Sequence, residues 1–237
     1  MTSTAIAQGV CSVQQSKILL RNIMRLTYSS VLWSRGSFPD ESFEDKRVHG
    51  MQIKALGGDG CEGHAKTLLT WLERGVFEAL SAGYLEKCIL IMSADEAASQ
   101  VLEAWSLSIA WLTDEEGNEL PTITCAGPRA ERSHRLRKPT SIDGKYTLDY
   151  ARSTSKAMLR QLSLMLQTLP SLPETHWISM RVLYRDDVTP RDYEPFGFER
   201  AGDDNKLRFC TRVRTARGAA RFLARSKPPC TLLHLAR

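Results

Sequence analysis

The order in which apolar spacing changes between the helical and the strand period limits the fold of this 237-residue chain more than any other feature. Apolar residues at three- and four-residue steps predict helices over 12–36, 68–83 and 148–169. Alternating or short continuous apolar runs predict strands over 51–55, 85–92, 101–112, 120–125, 177–184 and 207–213. The strands group into hairpins, so the sequence predicts an α+β fold with three helices packed on a mainly antiparallel sheet.

Cap and breaker residues mark the ends of the predicted helices. Ser12 and Gln15 form a capping-box pattern at the start of the first helix. Gly36 and Gly83 follow the last apolar positions of the first two helices, where glycine favours the left-handed cap conformation. Pro170 closes the third helix, because proline cannot continue a helical hydrogen-bond ladder.

Size and composition are those of one soluble domain. A chain of 237 residues with 42% hydrophobic side chains can bury one sizeable core. The longest apolar run, residues 88–92, is far shorter than a membrane span. The six cysteines are scattered without paired spacing, which is typical of reduced thiols in an intracellular protein.

The positive charge is concentrated near the C-terminus. From Glu199 onward there are ten Lys or Arg against three acids, and no acid follows Asp204. The candidate phosphate-binding residues in this stretch are Arg208, Arg212, Arg214, Arg217 and Arg221. A second basic cluster comprises Arg129, Arg132, Arg135, Arg137 and Lys138. Either cluster can contact nucleic acid weakly or form a solvated surface, since neither carries a recognition helix or a stacking motif.

The glycine triplet Gly58-x-Gly60-x-x-Gly63 has the spacing of a dinucleotide-binding loop. Such a loop needs an acidic residue about 20 positions later, whereas Asp95 lies 37 residues after Gly58. Asp59 and Glu62 within the stretch would repel a pyrophosphate. The pattern therefore predicts a flexible loop before a helix and no nucleotide site.

Other catalytic and metal-binding patterns are incomplete. Cys61-x-x-His64 has the spacing of half a zinc site, but no second pair completes four ligands. The adjacent acids 186–187 and 203–204 diverge in loops, and no known nucleophile or phosphate-binding motif occurs. The sequence predicts a protein without catalytic activity, cofactor or metal.

Four sequence segments are informative when they are taken together. They are the turn Arg35-Gly36-Ser37-Phe38-Pro39, the helical segment 69–85, the strand segment 101–109 with Glu103-Ala104-Trp105, and the segment 180–198, MRVLYRDDVTPRDYEPFGF. Together they resemble the HORMA-domain family over residues 12–200. The last stretch resembles the meiotic chromosome-axis branch more than the spindle-checkpoint adaptor or the translesion-polymerase accessory subunit.

The resemblance implies a peptide-binding module with a HORMA fold. In this family the strand before the C-terminal safety belt and the third helix form a seat for a closure-motif peptide, over which the belt wraps. The implied peptide-binding residues are Trp177, Ile178, Met180, Val182, Tyr184, Tyr193 and Phe198, with Tyr193 as the expected belt anchor. An ordinary core-strand role remains open for Trp177, Met180, Val182 and Tyr184.

The resemblance also implies a division of the chain and a set of partners. Residues 1–11 are expected to be a disordered N-terminal segment, 12–198 the HORMA core, and 199–237 a basic belt region. Residues 215–225 do not match the family's closing strands, so either the belt is shortened and replaced by a basic tail, or the gene product is truncated or misassembled. The implied partners are axis-protein closure motifs, other HORMA proteins, an AAA+ remodelling ATPase, and chromatin or DNA through the basic tail, with no membrane. The implied location is the nucleus, on chromosomes, in support of meiotic recombination and synapsis. The alternatives are a spindle-checkpoint or translesion-repair adaptor and a basic-tail nucleic-acid-binding protein.

Overall fold

A computed structural model describes residues 12–48, 50–96, 98–113, 117, 119–128, 148–198 and 210–216. For residues 148–150 and 210–216 it describes the backbone alone. The predicted N-terminal segment 1–11, the basic cluster 129–138, Arg208, Arg217 and Arg221 lie outside the described residues.

Three helices form where the sequence predicts them. Helix α1 is Val13–Ser34, and its capping box is present: Ser12 and Gln15 each donate a backbone N–H to the other's side chain. Helix α2 combines the α-helical turns Gly63–Thr70, the π-helical stretch Trp71–Val76 and the α-helical turns Phe77–Ala82. It starts five residues earlier than predicted. Helix α3 is Leu148–Gln167.

The strands form two antiparallel sheets. Strands β1 (Phe43–Val48) and β2 (Met51–Leu56) make a separate hairpin. Strands β3 (Leu85–Ser93), β4 (Val101–Thr113), β5 (Glu119–Ala126), β6 (Thr175–Tyr184) and β7 (Cys210–Ala216) form a sheet in the order β5-β4-β3-β6-β7. The predicted α+β fold with an antiparallel sheet is confirmed. The sequence missed β1, because its interior is four consecutive charged residues and carries no apolar alternation.

Helices α1 and α2 run antiparallel and are joined at four-residue steps. Lys17 donates to the Ser81 carbonyl at 2.8 Å, and the Arg21 guanidinium lies 5.2 Å from the Phe77 ring centroid. One turn further, Arg25 pairs with Glu73 at 2.9 Å. Equal steps on both helices follow because residues four apart occupy one helix face.

The glycine-rich loop is held by close packing. Gly57 donates its N–H to the Ser42 carbonyl at 3.0 Å. A Cβ at Gly60 would lie 2.8 Å from the Glu41 carbonyl carbon, so only glycine fits there. The loop therefore packs on the turn before β1. The sequence predicted a flexible loop, and this close packing is the physical reason for the glycine at position 60.

Candidate functional site

Strand β6 has a partner strand on each side. It pairs with β3 from Trp177, opposite Ser93, to Tyr184, opposite Leu85. On its other side it pairs with β7, from Thr175 to Met180. The β6 edge that a partner peptide would use is therefore covered by β7 over 175–180. Unpaired backbone groups on an edge strand favour pairing with any available strand, and β7 of the same chain supplies one here.

Most of the predicted peptide-binding residues lie in the hydrophobic core. Ile178, Met180, Val182, Tyr184 and Phe198 are buried in the main core cluster. The first three lie opposite Met92, Leu90 and Cys88 of β3, which are themselves fully buried. Trp177 and Tyr193 are half-buried. The structure thus gives Met180, Val182 and Tyr184 the core role that the sequence left open, and contact of the predicted residues with a peptide stays a prediction.

A buried ion pair joins two of the segments singled out in the sequence, the turn 35–39 and the strand segment 101–109. Arg35, at the end of α1, lies 2.6 Å from the Glu103 carboxylate of β4, and both side chains are about 95% buried. Trp105 donates its indole N–H to the same carboxylate at 3.0 Å. Arg35 also donates to the carbonyl of Pro170, which follows α3. The pair therefore connects α1, the sheet and the chain that leads into β6.

A second buried polar contact fixes the start of β6. The His176 ring is almost fully buried, with Nε2 3.2 Å from Ser37 Oγ and Nδ1 3.2 Å from the Pro173 carbonyl. A neutral ring that donates from Nδ1 and accepts the Ser37 hydroxyl at Nε2 satisfies both contacts. The turn after α1 therefore holds the first residues of β6 through side chains as well as through the sheet.

Three tyrosines meet where β6 ends. The Tyr193 ring packs edge-on against Tyr84 at 4.9 Å and against Tyr184 at 5.3 Å between centroids. Its hydroxyl lies 3.4 Å from the Glu78 carboxylate of α2. Burial raises the pKa values of Tyr184 and Tyr193 above the ordinary range for tyrosine. Tyr193 is thus seated between β6 and α2, and its role as an anchor of the belt stays a prediction.

The turn 195–198, which we call the docking turn, lies against the π-helical stretch of α2. A Cβ at Gly75 would overlap the Phe198 ring and would lie 2.7 Å from the Phe196 carbonyl oxygen. Gly197 has φ +78°, and a Cβ on it would lie 2.9 Å from the Trp71 ring. Both glycines therefore permit a contact that side chains would block.

Arg185 is the first residue after β6, and contacts of its side chain and backbone hold it in place. Its guanidinium makes two 2.8 Å hydrogen bonds to the Glu119 carboxylate at the start of β5. These hydrogen bonds lower the pKa of Glu119 below its ordinary value. The guanidinium also lies 5.4 Å from the centroid of Trp111, and the Arg185 N–H donates to the Tyr84 carbonyl at 2.8 Å. The chain leaving β6 is therefore fixed at three points, which are Arg185, Tyr193 and the docking turn.

Several of these contacts lay beyond the sequence prediction. Gly75, Glu78, Tyr84 and Glu119 were not singled out as site residues. Gly75 offered a signal, because a glycine inside a helix costs about 1 kcal/mol relative to alanine and points to close packing. The Arg185–Glu119 pair offered none, because 66 residues separate the partners in sequence.

The predicted nucleic-acid residues are only partly covered. Arg212 and Arg214 occupy alternate positions of β7, and Arg214 is the register partner of Trp177. Their side chains, with Arg208, Arg217 and Arg221, are not among those described. Phosphate contact by this set stays a prediction.

In the part of the chain that the structure describes, no three His, Cys, Asp or Glu side chains are grouped closely enough to hold a metal ion. No described helix is long and apolar enough to cross a membrane.

Comparison with known proteins gives one family. A family model described as the HORMA domain matches residues 16–217. Meiosis-specific protein ASY1 of Arabidopsis thaliana is 29% identical over 191 residues, which are 81% of this chain and 31% of that protein. HORMA domain-containing protein 1 of Danio rerio is 28% identical over 197 residues, which are 83% of this chain and 50% of that protein. This chain therefore spans half or less of the length of these two relatives.

Solved structures agree in fold. The structure of C. elegans HTP-1 bound to the HIM-3 closure motif has a TM-score of 0.63 and 18% identity, covering 85% of this chain and 81% of that chain. HTP-2 bound to HTP-3 motif-6 has a TM-score of 0.62 and 17% identity, with 85% and 81% covered. At these identities the likeness concerns the fold, and it confirms the fold that the sequence predicted.

Proposed function

The chain belongs to the HORMA-domain family, and from that premise we propose that it is a non-catalytic adaptor of meiotic chromosome axes. In this role it binds closure-motif peptides of axis partners and supports recombination and synapsis in the nucleus. Its meiotic assignment is supported by the meiosis-specific relative and by the solved HTP-1 and HTP-2 structures, whose titles name bound closure motifs.

One observation carries the proposal. The β6 edge is occupied by β7, a strand that the chain supplies after residues 199–209 and that pairs with β6 only over 175–180. An edge that accepts one extended strand can accept another, because the pairing uses backbone groups that every sequence has. A partner peptide that replaces β7 would add main-chain hydrogen bonds to β6.

The physical consequences follow from this mode of binding. The peptide would gain affinity mainly through backbone pairing and apolar contacts, which salt screens little. Wrapping of the 199–237 belt region over the peptide would slow dissociation, so differences in affinity would lie mainly in koff. Of the predicted peptide contacts, Trp177 and Tyr193 are half-buried, so part of each side chain is open to a partner.

The other partners belong to the same proposal. Other HORMA proteins would supply closure motifs, and an AAA+ remodelling ATPase would engage the N-terminal segment 1–11 to release the peptide. A spindle-checkpoint or translesion-repair adaptor would have the same fold. We favour the meiotic role because the stretch 180–198 and the meiosis-specific relative both point to it.

Selection from a random peptide display library tests the proposal without knowledge of the partner. The full chain is the bait, and a variant carrying the disulfide lock across β6 and β7 described in the Discussion is the control. We expect the full chain to enrich a peptide family that the oxidised lock does not enrich. Enrichment of the same peptides by both proteins, or of none by either, would contradict binding at the β6 edge.

The basic tail gives a separate prediction about nucleic acid. If its Lys and Arg residues meet phosphates, affinity for duplex DNA should fall linearly on a log–log salt plot, with a slope of about −0.9 per contact. We expect weak, sequence-independent binding that is lost near physiological salt, because no recognition helix or stacking platform accompanies the charges. Fluorescence anisotropy with labelled duplexes of two unrelated sequences measures this. Salt-resistant binding that prefers one duplex would instead support the nucleic-acid-binding alternative.

A further inference from the structure

Two residues of β6 that alternate with its core positions are polar and almost fully buried. Ser179 is 1% exposed and Arg181 is 3% exposed. Because successive strand residues point to opposite faces, both lie on the face of the sheet that is turned away from the main core. In the register with β3, Ser179 lies opposite Ile91 and Arg181 lies opposite Ile89. A hydroxyl and a guanidinium are therefore buried on one face of β6, next to apolar residues of β3.

Burial disfavours the charged form of Arg181. It lowers the pKa of this guanidinium to about 10. Arg185 shows the opposite direction, because its hydrogen bonds to the Glu119 carboxylate raise its pKa. A carboxylate beside Arg181 would stabilise the buried cation in the way that Glu119 stabilises Arg185.

The Ser179 hydroxyl points to a ligand of the same kind. Its oxygen is buried, and within the described part of the chain no hydrogen-bond partner reaches it. A buried hydroxyl without a hydrogen bond is destabilising. The hydroxyl can donate one hydrogen bond, and a guanidinium donates through a planar fork that matches a carboxylate. One carboxylate can therefore accept from both side chains.

Both residues lie where a partner strand would replace β7. The register of β6 with β7 extends to Met180, which lies opposite Cys210. Ser179 is inside this stretch, and Arg181 is the next residue of β6 beyond it. Residues directly opposite each other on neighbouring strands have Cβ atoms about 4.5–5.5 Å apart. A side chain on a strand beside β6 is therefore within reach of both residues.

We propose that Arg181 and Ser179 make the β6 edge selective for peptides that carry an aspartate or glutamate on the face of the strand they share. The carboxylate accepts hydrogen bonds from the guanidinium and the hydroxyl, and it compensates the charge that burial leaves without water. A peptide with an apolar residue there leaves the cation buried beside it, which disfavours its binding. This inference rests on the proposed function, because it names the class of peptide that the same edge takes.

Substitution in the peptide tests the selectivity on the unmodified full chain. The library-selected peptides should share an aspartate or glutamate at one position. Replacing this residue by its amide, asparagine or glutamine, keeps its shape and removes its charge. We expect binding to weaken about 10- to 100-fold in fluorescence anisotropy, because hydrogen bonds to a charged group are lost. Selected peptides without a shared acidic position would overturn the selectivity and leave the proposed function standing, whereas the absence of any selected peptide would overturn both.

A double-mutant cycle assigns the discrimination, which is the ratio of the dissociation constants of the amide and acidic peptides, to Arg181. In Arg181→Met, which has a side chain of similar length and no charge, the two peptides should bind within about twofold of each other. Lys87→Met is the matched control, because Lys87 lies on the same face of the sheet but one strand further from the edge, opposite Leu183. It should keep the full discrimination, and circular dichroism checks that both variants fold. Discrimination that survives in folded Arg181→Met, or that is lost equally in Lys87→Met, would overturn the role of Arg181.

Two milder variants separate the charge from the hydrogen bonds. Arg181→Lys keeps the charge but lacks the planar fork, so we expect an intermediate discrimination. Ser179→Ala removes the second donor and should lower the discrimination about threefold. Full discrimination in both variants would overturn the arrangement in which one carboxylate accepts from both side chains.

Discussion

Replacing Arg35 by methionine should lower the free energy of unfolding by about 3–5 kcal/mol, because it leaves the Glu103 carboxylate buried without its cation. Glu103 and Arg35 are both about 95% buried and lie 2.6 Å apart. The substitution also removes the donor to the Pro170 carbonyl, which leads into β6. Urea denaturation followed by circular dichroism measures the change.

Two further variants separate charge burial from ordinary packing. Adding Glu103→Leu to Arg35→Met should recover part of the loss, since an apolar pair carries no desolvation cost, although the Trp105 indole then loses its acceptor. Lys54→Met removes an exposed ion pair to Asp45 at 3.1 Å, and its effect should stay below about 1 kcal/mol. An Arg35→Met effect as small as that of Lys54→Met would show that the buried pair contributes no more than a surface pair.

A disulfide between β6 and β7 should weaken peptide binding by roughly 30- to 1,000-fold. Thr175 and Ala216 are directly opposite in the antiparallel register, where Cα atoms are about 4.5–5.5 Å apart, within the range that a disulfide spans. A disulfide stabilises the closed pairing by about 2–4 kcal/mol, and apparent affinity falls with the fraction of molecules in which β6 is available. The variant is Thr175→Cys with Ala216→Cys, in a Cys210→Ser background.

Reduction supplies the internal control for the lock. After reduction, the same protein should bind the library-selected peptide as tightly as the Cys210→Ser parent, as measured by fluorescence anisotropy. A disulfide placed across β1 and β2, at the register pair Arg47 and Gln52, should leave binding unchanged. Equal binding by the oxidised and reduced β6–β7 lock would mean that the peptide does not need the edge that β7 occupies.

The general fold could be predicted from the sequence because the signals that define it are local. The capping box at Ser12 and the stop at Gly83 are short patterns with a direct physical cause, and both are present in the structure. Apolar spacing likewise located α3 and β6 to within a few residues. The start of α2 was missed because Gly63 and His64 carry no apolar periodicity.

The candidate site was harder to predict because its contacts are long-range. The sequence singled out Met180 and Val182 by alternation, but alternation alone cannot distinguish a core face from a ligand face. Both residues are fully buried, so a Val182→Asp substitution would place a charge in the core and unfold the protein. The contact of the docking turn with α2 was hidden for the same reason, since Gly75 and Phe198 are 123 residues apart.

The central claim is that a partner peptide binds at the β6 edge in place of β7. Hydrogen–deuterium exchange of the full chain, with and without the library-selected peptide at saturation, tests it most directly. The account predicts that β6 amides over 175–180 stay protected while amides over 210–216 lose the exchange pattern of the free protein, because the peptide replaces β7 as the partner strand. Saturating peptide that leaves 210–216 unchanged and protects another surface would contradict it.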